Sequence, residues 1–363
     1  MPVRVVVPVE QLWHRVPGGT ARATRETLIA LGDIGVVETE CLAAWHRRSH
    51  RAAAAGIGNV TYLPLPRRLL YETWLRCRQP SVELVTKGAD LVWASSMIPP
   101  PTRLPLVATV HDLGFLDHPE RSSRRGRSFF PRIWAAVRDR AAVIVCPSRA
   151  AVEDCVRHGV EPSRLRVVPW GVSAPISSPE RVQEVRSRLR LPDRFVLWVG
   201  TLEPRKNLPR LVEAMEKVPG VALVVVGPPG WNLDGGDVLA PLGDRVVRLG
   251  EVDEMTLSSL YAAASVFAFP SLVEGFGLPV LEAMAHGTSV VTSAGTATAE
   301  VAAGAARLVD ATDPSAIAAG IEAALERDVT TLDLVERGRE RASQLSWPAA
   351  ARGYAAVFQE VIR

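Results

Sequence analysis

The stretch FVLWVGTLEPRKNLPRLVEAM, residues 195–215, decides the architecture. It opens as an apolar run that ends in Gly200, as a strand buried on both faces does, passes through a short charged loop, and continues from Leu208 as a helix. Strand, loop and helix in that order make a βα unit. Further strand-like runs follow downstream, VALVVVG (221–227), RVVRLG (245–250), SVFAFPS (265–271) and TSVVTS (288–293), each leading into a loop and most into a helix. Upstream lies a comparable series: VRVVVP (3–8), a helix-like TARATRETLIAL (20–31), then DLVWAS (90–95), PLVATV (105–110) and VIVCPS (143–148). This alternation predicts an α/β protein with parallel sheets and crossover helices. Between the two series, GVSAPISSPE (171–180) is rich in Ser and Pro and lacks periodicity, which suits a linker. The expected division is 1–175, 176–345, and a final segment 346–363.

Composition agrees with a globular chain of two or three domains: 363 residues, 47% hydrophobic and 22% charged. A core of that size needs neither disulfides nor a structural metal. Lys and Arg number 42 against 39 Asp and Glu, and a net charge of +3 is too small for the basic field that nucleic-acid binding requires. Cys41, Cys77, Cys146 and Cys155 form no C-x-x-C pair and are expected as free thiols, Cys146 as a small buried hydrophobe. The N-terminal apolar run is broken by Pro8 and Glu10, and no stretch reaches the ~18 apolar residues of a membrane span. The expectation is a cytoplasmic protein.

In open α/β sheets ligands bind beyond the carboxyl ends of the strands, so the loops there carry the candidate chemistry. In VEGFGLPVLEAMAHG (273–287), Glu274 follows a strand, Gly275 and Gly277 relax the loop, and Pro279 suits the first turn of a helix. Exposed N–H groups at that turn make an anion site, and Glu282, in the first turn or so, can accept hydrogen bonds from a ribose diol. Equally, Glu282 can be a carboxylate stabilising the helix dipole, with the glycines as ordinary turn residues. Arg205 and Lys206 stand directly before a helix, where two cations oppose the macrodipole unless an anion joins them. A diphosphate satisfies that requirement; a solvated Arg-Lys pair is the alternative. Gly18 and Gly19 precede a helix and offer close backbone approach, or simply a turn. His111 and Asp112 follow an apolar strand, where either a binding or a structural role fits. His46 and His50 are four apart with no acidic or cysteine partner nearby in sequence, a poor metal site.

Several chemistries are excluded by motif. The chain has no G-x-x-x-x-G-K, no H-E-x-x-H and no G-x-S-x-G, and GFGLPV lacks the third glycine of a dinucleotide fingerprint. It also has no Asp-x-Asp. No metal is therefore expected at a diphosphate, which cationic side chains and helix N-termini must neutralise instead.

The combination of Glu274 and Glu282 in SLVEGFGLPVLEAMAHGTSVVTS with GTLEPRKNL, VHDLGF, the early Gly-Gly and AEVAAGAARLVD (299–310) resembles retaining, family 4 glycosyltransferases of the GT-B fold. The resemblance covers nearly the whole chain. It implies two Rossmann-like domains with parallel sheets facing a central cleft, the donor mostly on the C-terminal one, the acceptor mostly on the other, and the last helix crossing back to the first. By the same resemblance Lys206 and Arg205 would bind the donor diphosphate, and the backbone of Gly275, Phe276, Gly277 and Leu278 would hold the phosphates and sugar. Glu282 would bind the ribose, Glu274 and His111 would meet the transferred sugar as the catalytic residues, and Gly18 and Gly19 would close over the diphosphate. Many members carry Arg directly after the strand-ending glycine; this chain has Thr201.

The function this implies is retaining transfer of a hexose from a nucleotide-diphosphate sugar to a glycan or lipid-linked acceptor hydroxyl, without cofactor or metal. GTLEPRKNL and VHD resemble bacterial mannosyltransferases, which favours GDP-mannose over UDP-glucose or UDP-N-acetylglucosamine. The alternatives are a nucleotide-sugar epimerase of related fold and a non-catalytic nucleotide-sugar-binding protein. ERSSRRGRSFFPRIWAAVRDR (120–140) adds a second expectation, since it packs seven arginines beside apolar residues at helical spacing. It is either a crossover helix with solvated arginines, or a basic amphipathic helix in weak peripheral contact with the anionic inner face of a membrane.

Overall fold

The computed structural model describes residues 2–14, 18–175, 177–231 and 233–363; the side chains of Arg48, Ala52 and Arg121 lie outside the described residues, as does position 176, where the second domain is expected to begin. The chain divides into two compact units, Met1–Gly171 with Trp347–Arg363, and Val172–Ser346.

The first unit holds seven strands: β1 (Val3–Pro8), β2 (Val37–Ala43), β3 (Val60–Tyr62), β4 (Leu91–Ala94), β5 (Leu106–Thr109), β6 (Val143–Cys146) and β7 (Leu165–Val167). They form one parallel sheet in the order β3-β2-β1-β4-β5-β6-β7. The second unit holds β8 (Phe195–Val199), β9 (Ala222–Val226), β10 (Val246–Gly250), β11 (Val266–Phe269), β12 (Val290–Ser293) and β13 (Arg307–Val309), parallel in the order β10-β9-β8-β11-β12-β13. Both are Rossmann-like sheets. In each, the chain starts in the middle, builds outward on one side and then returns to the other, so the order reverses between β1 and β4 and between β8 and β11. Such a switch point leaves two adjacent loops diverging at the carboxyl edge, where a ligand fits.

The central strands are continuous apolar runs because helices cover both of their faces. Val5, Val6, Val7, Leu91, Val92, Val107 and Ile144 are 1% exposed or less, as are Phe195, Trp198, Phe267 and Phe269 in the second unit. The helix Trp347–Val361 belongs to the first unit and packs on the helix Gly18–Ile34. Its Tyr354 lies 4.6 Å from the Trp93 ring and shares a 3.1 Å hydrogen bond with the Thr109 hydroxyl.

In the helix Gly126–Arg140, Ile133, Trp134 and Val137 enter the core, which accounts for the apolar stripe. Its arginines divide. Arg132 pairs with Glu72 and Arg138 with Asp139, Arg140 donates to the Pro100 carbonyl, and the side chains of Arg124 and Arg125, just before the helix, are exposed with no partner among the described residues. All four cysteines are free; Cys146 and Cys155 are buried with their sulfurs 3.7 Å apart. No helix among the described residues is long and apolar enough to cross a membrane.

Candidate active site

The switch point of the second unit gathers most of the candidate residues. The loop after β8 carries Glu203, Arg205 and Lys206; the loop after β11 carries Ser271 and Glu274. Because β8 and β11 are hydrogen-bonded neighbours, residues 68 positions apart in sequence meet. The loops are tied by a backbone bond from Leu272 N to Arg205 O of 2.8 Å. Asn207 locks the corner. Its amide donates to the Pro270 and Ala311 carbonyls at 2.9 and 2.7 Å, and its left-handed backbone (φ 59°) turns the chain into the helix Leu208–Glu216. A third loop presses on the first: a Cβ on Gly227 would lie 2.0 Å from the Gly200 carbonyl oxygen, and one on Gly230 2.2 Å from that of Leu202. Only glycine permits both approaches.

Lys206 Nζ lies 2.5 Å from Glu274 Oε1, and Arg205 reaches Glu274 Oε2 at 3.2 Å and Glu203 Oε1 at 2.8 Å. The side chains of Glu203, Glu274 and Lys206 are 4%, 7% and 10% exposed, so the charges act on one another with little screening. Lys206 also stands 4.9 Å over the Phe269 ring. Burial pulls the Lys206 pKa below its ordinary value, with Arg205 adding to it while Glu274 and Glu203 push back. Burial alone would raise Glu274, but Lys206 and Arg205 outweigh it and hold that carboxyl below its usual value. Two cations and two carboxylates make a neutral cluster. The anion that the sequence demands beside Arg205 and Lys206 is thus supplied in part by the chain itself, through Glu203 and Glu274. Glu203 escapes a sequence reading because it becomes a partner only when the turn Pro204–Lys206 folds Arg205 back on it.

The loop after Glu274 runs through Gly275 and Phe276 into the helix Leu278–Ala285. Gly277 caps it with φ 108°, and a Cβ there would meet Thr298 Cγ2 at 2.8 Å. Val280 and Leu281 donate back to the Gly277 carbonyl. The Gly277 and Leu278 amides have no backbone acceptor among the described residues, which is the anion-ready pattern of a helix start. Glu282 is the fifth residue of this helix, just past the first turn, which begins after the left-handed Gly277. It is 6% exposed and accepts a 2.8 Å hydrogen bond from the Tyr261 hydroxyl. That burial does not suit a carboxylate serving only the helix dipole at the first turn.

His111, Gly18 and Gly19 lie in the first unit, at the carboxyl edge of its sheet. Gly18 and Gly19 open the helix Gly18–Ile34, both exposed, with Gly18 at φ 61°. His111 follows β5, its ring centroid 5.1 Å from that of Trp170, with both ring nitrogens buried and the Ser95 backbone beside the ring. Burial pulls its pKa down to about 4 against the opposing effects of Asp112 and the Ser95 backbone, so the ring is neutral near pH 7. Asp112 itself accepts from the Gly114 amide at 3.2 Å, a turn-forming contact. His46 does have an acidic partner. Its Nε2 lies 3.0 Å from the Glu10 carboxylate, because parallel pairing of β1 with β2 brings the two loops side by side.

Comparison with known proteins assigns the chain. The family profile described as "Glycosyltransferase Family 4" matches residues 17–174, and that described as "Glycosyl transferases group 1" matches residues 181–341. An O-antigen chain mannosyltransferase B of Escherichia coli is 32% identical over 256 residues, 66% of this chain and 66% of that protein. The next curated relatives match over 30–33% of their own length, so the chain spans only part of the proteins it resembles. Among solved structures, a sucrose-phosphate synthase from Thermosynechococcus elongatus shares the fold with a TM-score of 0.78 at 24% identity, covering 99% of this chain and 98% of that one. HepE of Anabaena, solved with UDP and glucose, gives a TM-score of 0.76 at 17% identity, covering 98% and 99%. With both halves matched and the fold shared along its length, the chain belongs to the family 4 glycosyltransferases of the GT-B fold.

Proposed function

We propose that the protein transfers a hexose, mannose in preference, from a nucleotide-diphosphate sugar to a hydroxyl of a glycan or lipid-linked acceptor, with retention of configuration and without a metal. The observation that carries this is the Lys206–Glu274–Arg205 cluster at the switch point of the second sheet, beside the free amides that open the helix Leu278–Ala285. Lys206 and Arg205 would take the diphosphate, assisted by the backbone from Gly275 to Leu278. Glu282, held by Tyr261, would accept the ribose hydroxyls. Glu274, released from Lys206 as the phosphates arrive, would orient the sugar and stabilise positive charge on its ring. His111, neutral, would hydrogen-bond a sugar hydroxyl, and Gly18 and Gly19 would admit the phosphates close to backbone.

In the step itself the acceptor oxygen bonds to the anomeric carbon from the face that the phosphate leaves. The carbon–phosphate-oxygen bond breaks with its electron pair on phosphate, and the acceptor proton passes to that phosphate. The mannosyltransferase relative supports the sugar, and the UDP-bound HepE supports a nucleotide-sugar donor of some kind. Arg124 and Arg125, whose side chains are exposed, support a weak peripheral contact with an anionic membrane on the cytoplasmic side, which would bring a lipid-linked acceptor to the enzyme.

Thermal shift of the protein with GDP, UDP and ADP tests the donor assignment, since stabilisation grows with ligand concentration over dissociation constant. GDP giving the largest shift, donor-dependent transfer that persists in EDTA, and an NMR-assigned product of the donor's anomeric configuration are the expected results. Inversion, or turnover abolished by EDTA and restored by magnesium, overturns the corresponding part.

A further inference from the structure

Away from β5, on the side of β2 and β3, the carboxyl edge of the first sheet carries a second constellation that the transfer chemistry does not use. Glu10, directly after β1, is 2% exposed, and its carboxylate accepts from the Ala44 amide at 2.8 Å and from His46 Nε2 at 3.0 Å. The His46 ring is stacked on Trp13 at 4.5 Å and 14°, and Tyr62 stands edge-on to both. Trp13, His46 and Tyr62 all keep part of their surface accessible, and Trp45 on the same β2 loop is 53% exposed.

One buried polar atom nearby, the Tyr71 hydroxyl, has no partner among the described residues. It belongs to a residue 7% exposed and lies close enough to Glu10 and Arg67 for both charges to act on it. Buried polar atoms without partners are uncommon and mark a place where a ligand or water completes the bonding. Flat aromatic surface beside a buried carboxylate and a buried hydroxyl fits a ring with apolar C–H faces and a hydroxyl rim.

We infer that Trp13 and His46, backed by Glu10 and Tyr71, form a second carbohydrate subsite that carries a pyranose residue of the acceptor glycan. The natural acceptor is then an oligosaccharide at least two residues deep, with one residue on this shelf and the residue being extended nearer to His111. The inference rests on the glycosyl-transfer reading above.

The test uses the whole protein and saturation-transfer NMR with mannobiose, maltose, lactose and chitobiose as probes, with GDP and UDP titrated by calorimetry on the same samples. At least one disaccharide is expected to receive saturation from the wild-type protein. Trp13→Ala and His46→Gln are each expected to weaken that binding on the order of tenfold, while Trp13→Phe retains most of it. Nucleotide affinity is expected to stay unchanged in all three variants. No saturation of any disaccharide by the wild type, or binding that Trp13→Ala retains, overturns the subsite even if nucleotide binding is intact. Wild-type protein that binds neither nucleotide removes the transfer reading itself.

Discussion

Because Lys206 Nζ is held 2.5 Å from Glu274, a diphosphate that reaches the ammonium competes with a carboxylate of the same chain. Lys206→Gln removes a charge-assisted contact of about 1.5–3 kcal/mol, so calorimetry should show nucleoside-diphosphate binding weakened roughly ten- to hundredfold. An unchanged dissociation constant would remove Lys206 from the phosphate site. Glu274→Gln keeps the shape and abolishes the competing charge. Nucleotide affinity should hold or tighten while kcat falls on the order of a hundredfold; equal losses in both would undo the division of roles. His111 gives a pH signature. Its folded pKa of about 4 lies below the ordinary 6.5, so between those values the unfolded chain binds a proton that the folded chain refuses. The stability due to the neutral ring is complete above pH 6.5 and is lost as pH falls toward 4. His14, depressed to about 4 by burial and Arg67, acts in the same direction. The urea midpoint should therefore drop across this window, and His111→Asn should flatten the drop; an equal slope in the variant would mean that the ring titrates normally.

At the scale of the element, the helix Leu278–Ala285 depends on how it starts. Gly277 combines φ 108° with a neighbour, Thr298, that leaves no room for a Cβ. Gly277→Ala should lower stability by about 1–3 kcal/mol, as strain at a left-handed position does, and weaken nucleotide binding because the Gly277 and Leu278 amides are displaced. Adding Thr298→Ser removes the methyl that the alanine strikes but not the backbone strain, so partial recovery of the melting temperature is expected. Full recovery would place the whole cost in the methyl contact, and no recovery would place it in the backbone. The helix Gly126–Arg140 shows a different economy: one face joins the core through Ile133, Trp134 and Val137, while the segment that leads into it keeps Arg124 and Arg125 exposed.

For the whole molecule, the net charge of +3 is nearly balanced, so any attraction to an anionic surface has to come from a local concentration of arginine. Sedimentation with anionic liposomes at low salt should pull down the wild-type protein, and Arg124→Ala, Arg125→Ala and Arg127→Ala together should release it. At about 1 kcal/mol per well-placed cation the loss is large enough to read directly. Pull-down by neutral liposomes, or no effect of the triple change, would leave a soluble acceptor as the better account.

Fold class and the chemical kinds of residue at the candidate site are legible in the residues alone. Strands buried on both faces must be apolar runs, so β1, β4, β5, β6, β8, β9, β11 and β12 are visible as such, and each announces a loop at its carboxyl end. Strands that do not have that burial hide: β2 carries Glu38, Thr39 and Glu40, and β3, β7 and β13 are three residues each, too short for a pattern. Pairings were decided only by the tertiary structure. Glu274 meets Lys206, and Glu10 meets His46, because strand order places the loops after β8 and β11, and after β1 and β2, next to each other. Strand order is a property of long-range packing and leaves no trace in local periodicity. For the same reason the final helix, amphipathic in any setting, does not announce its partner; Tyr354 and Phe358 find Trp93 only because β4 is a central strand of the first sheet.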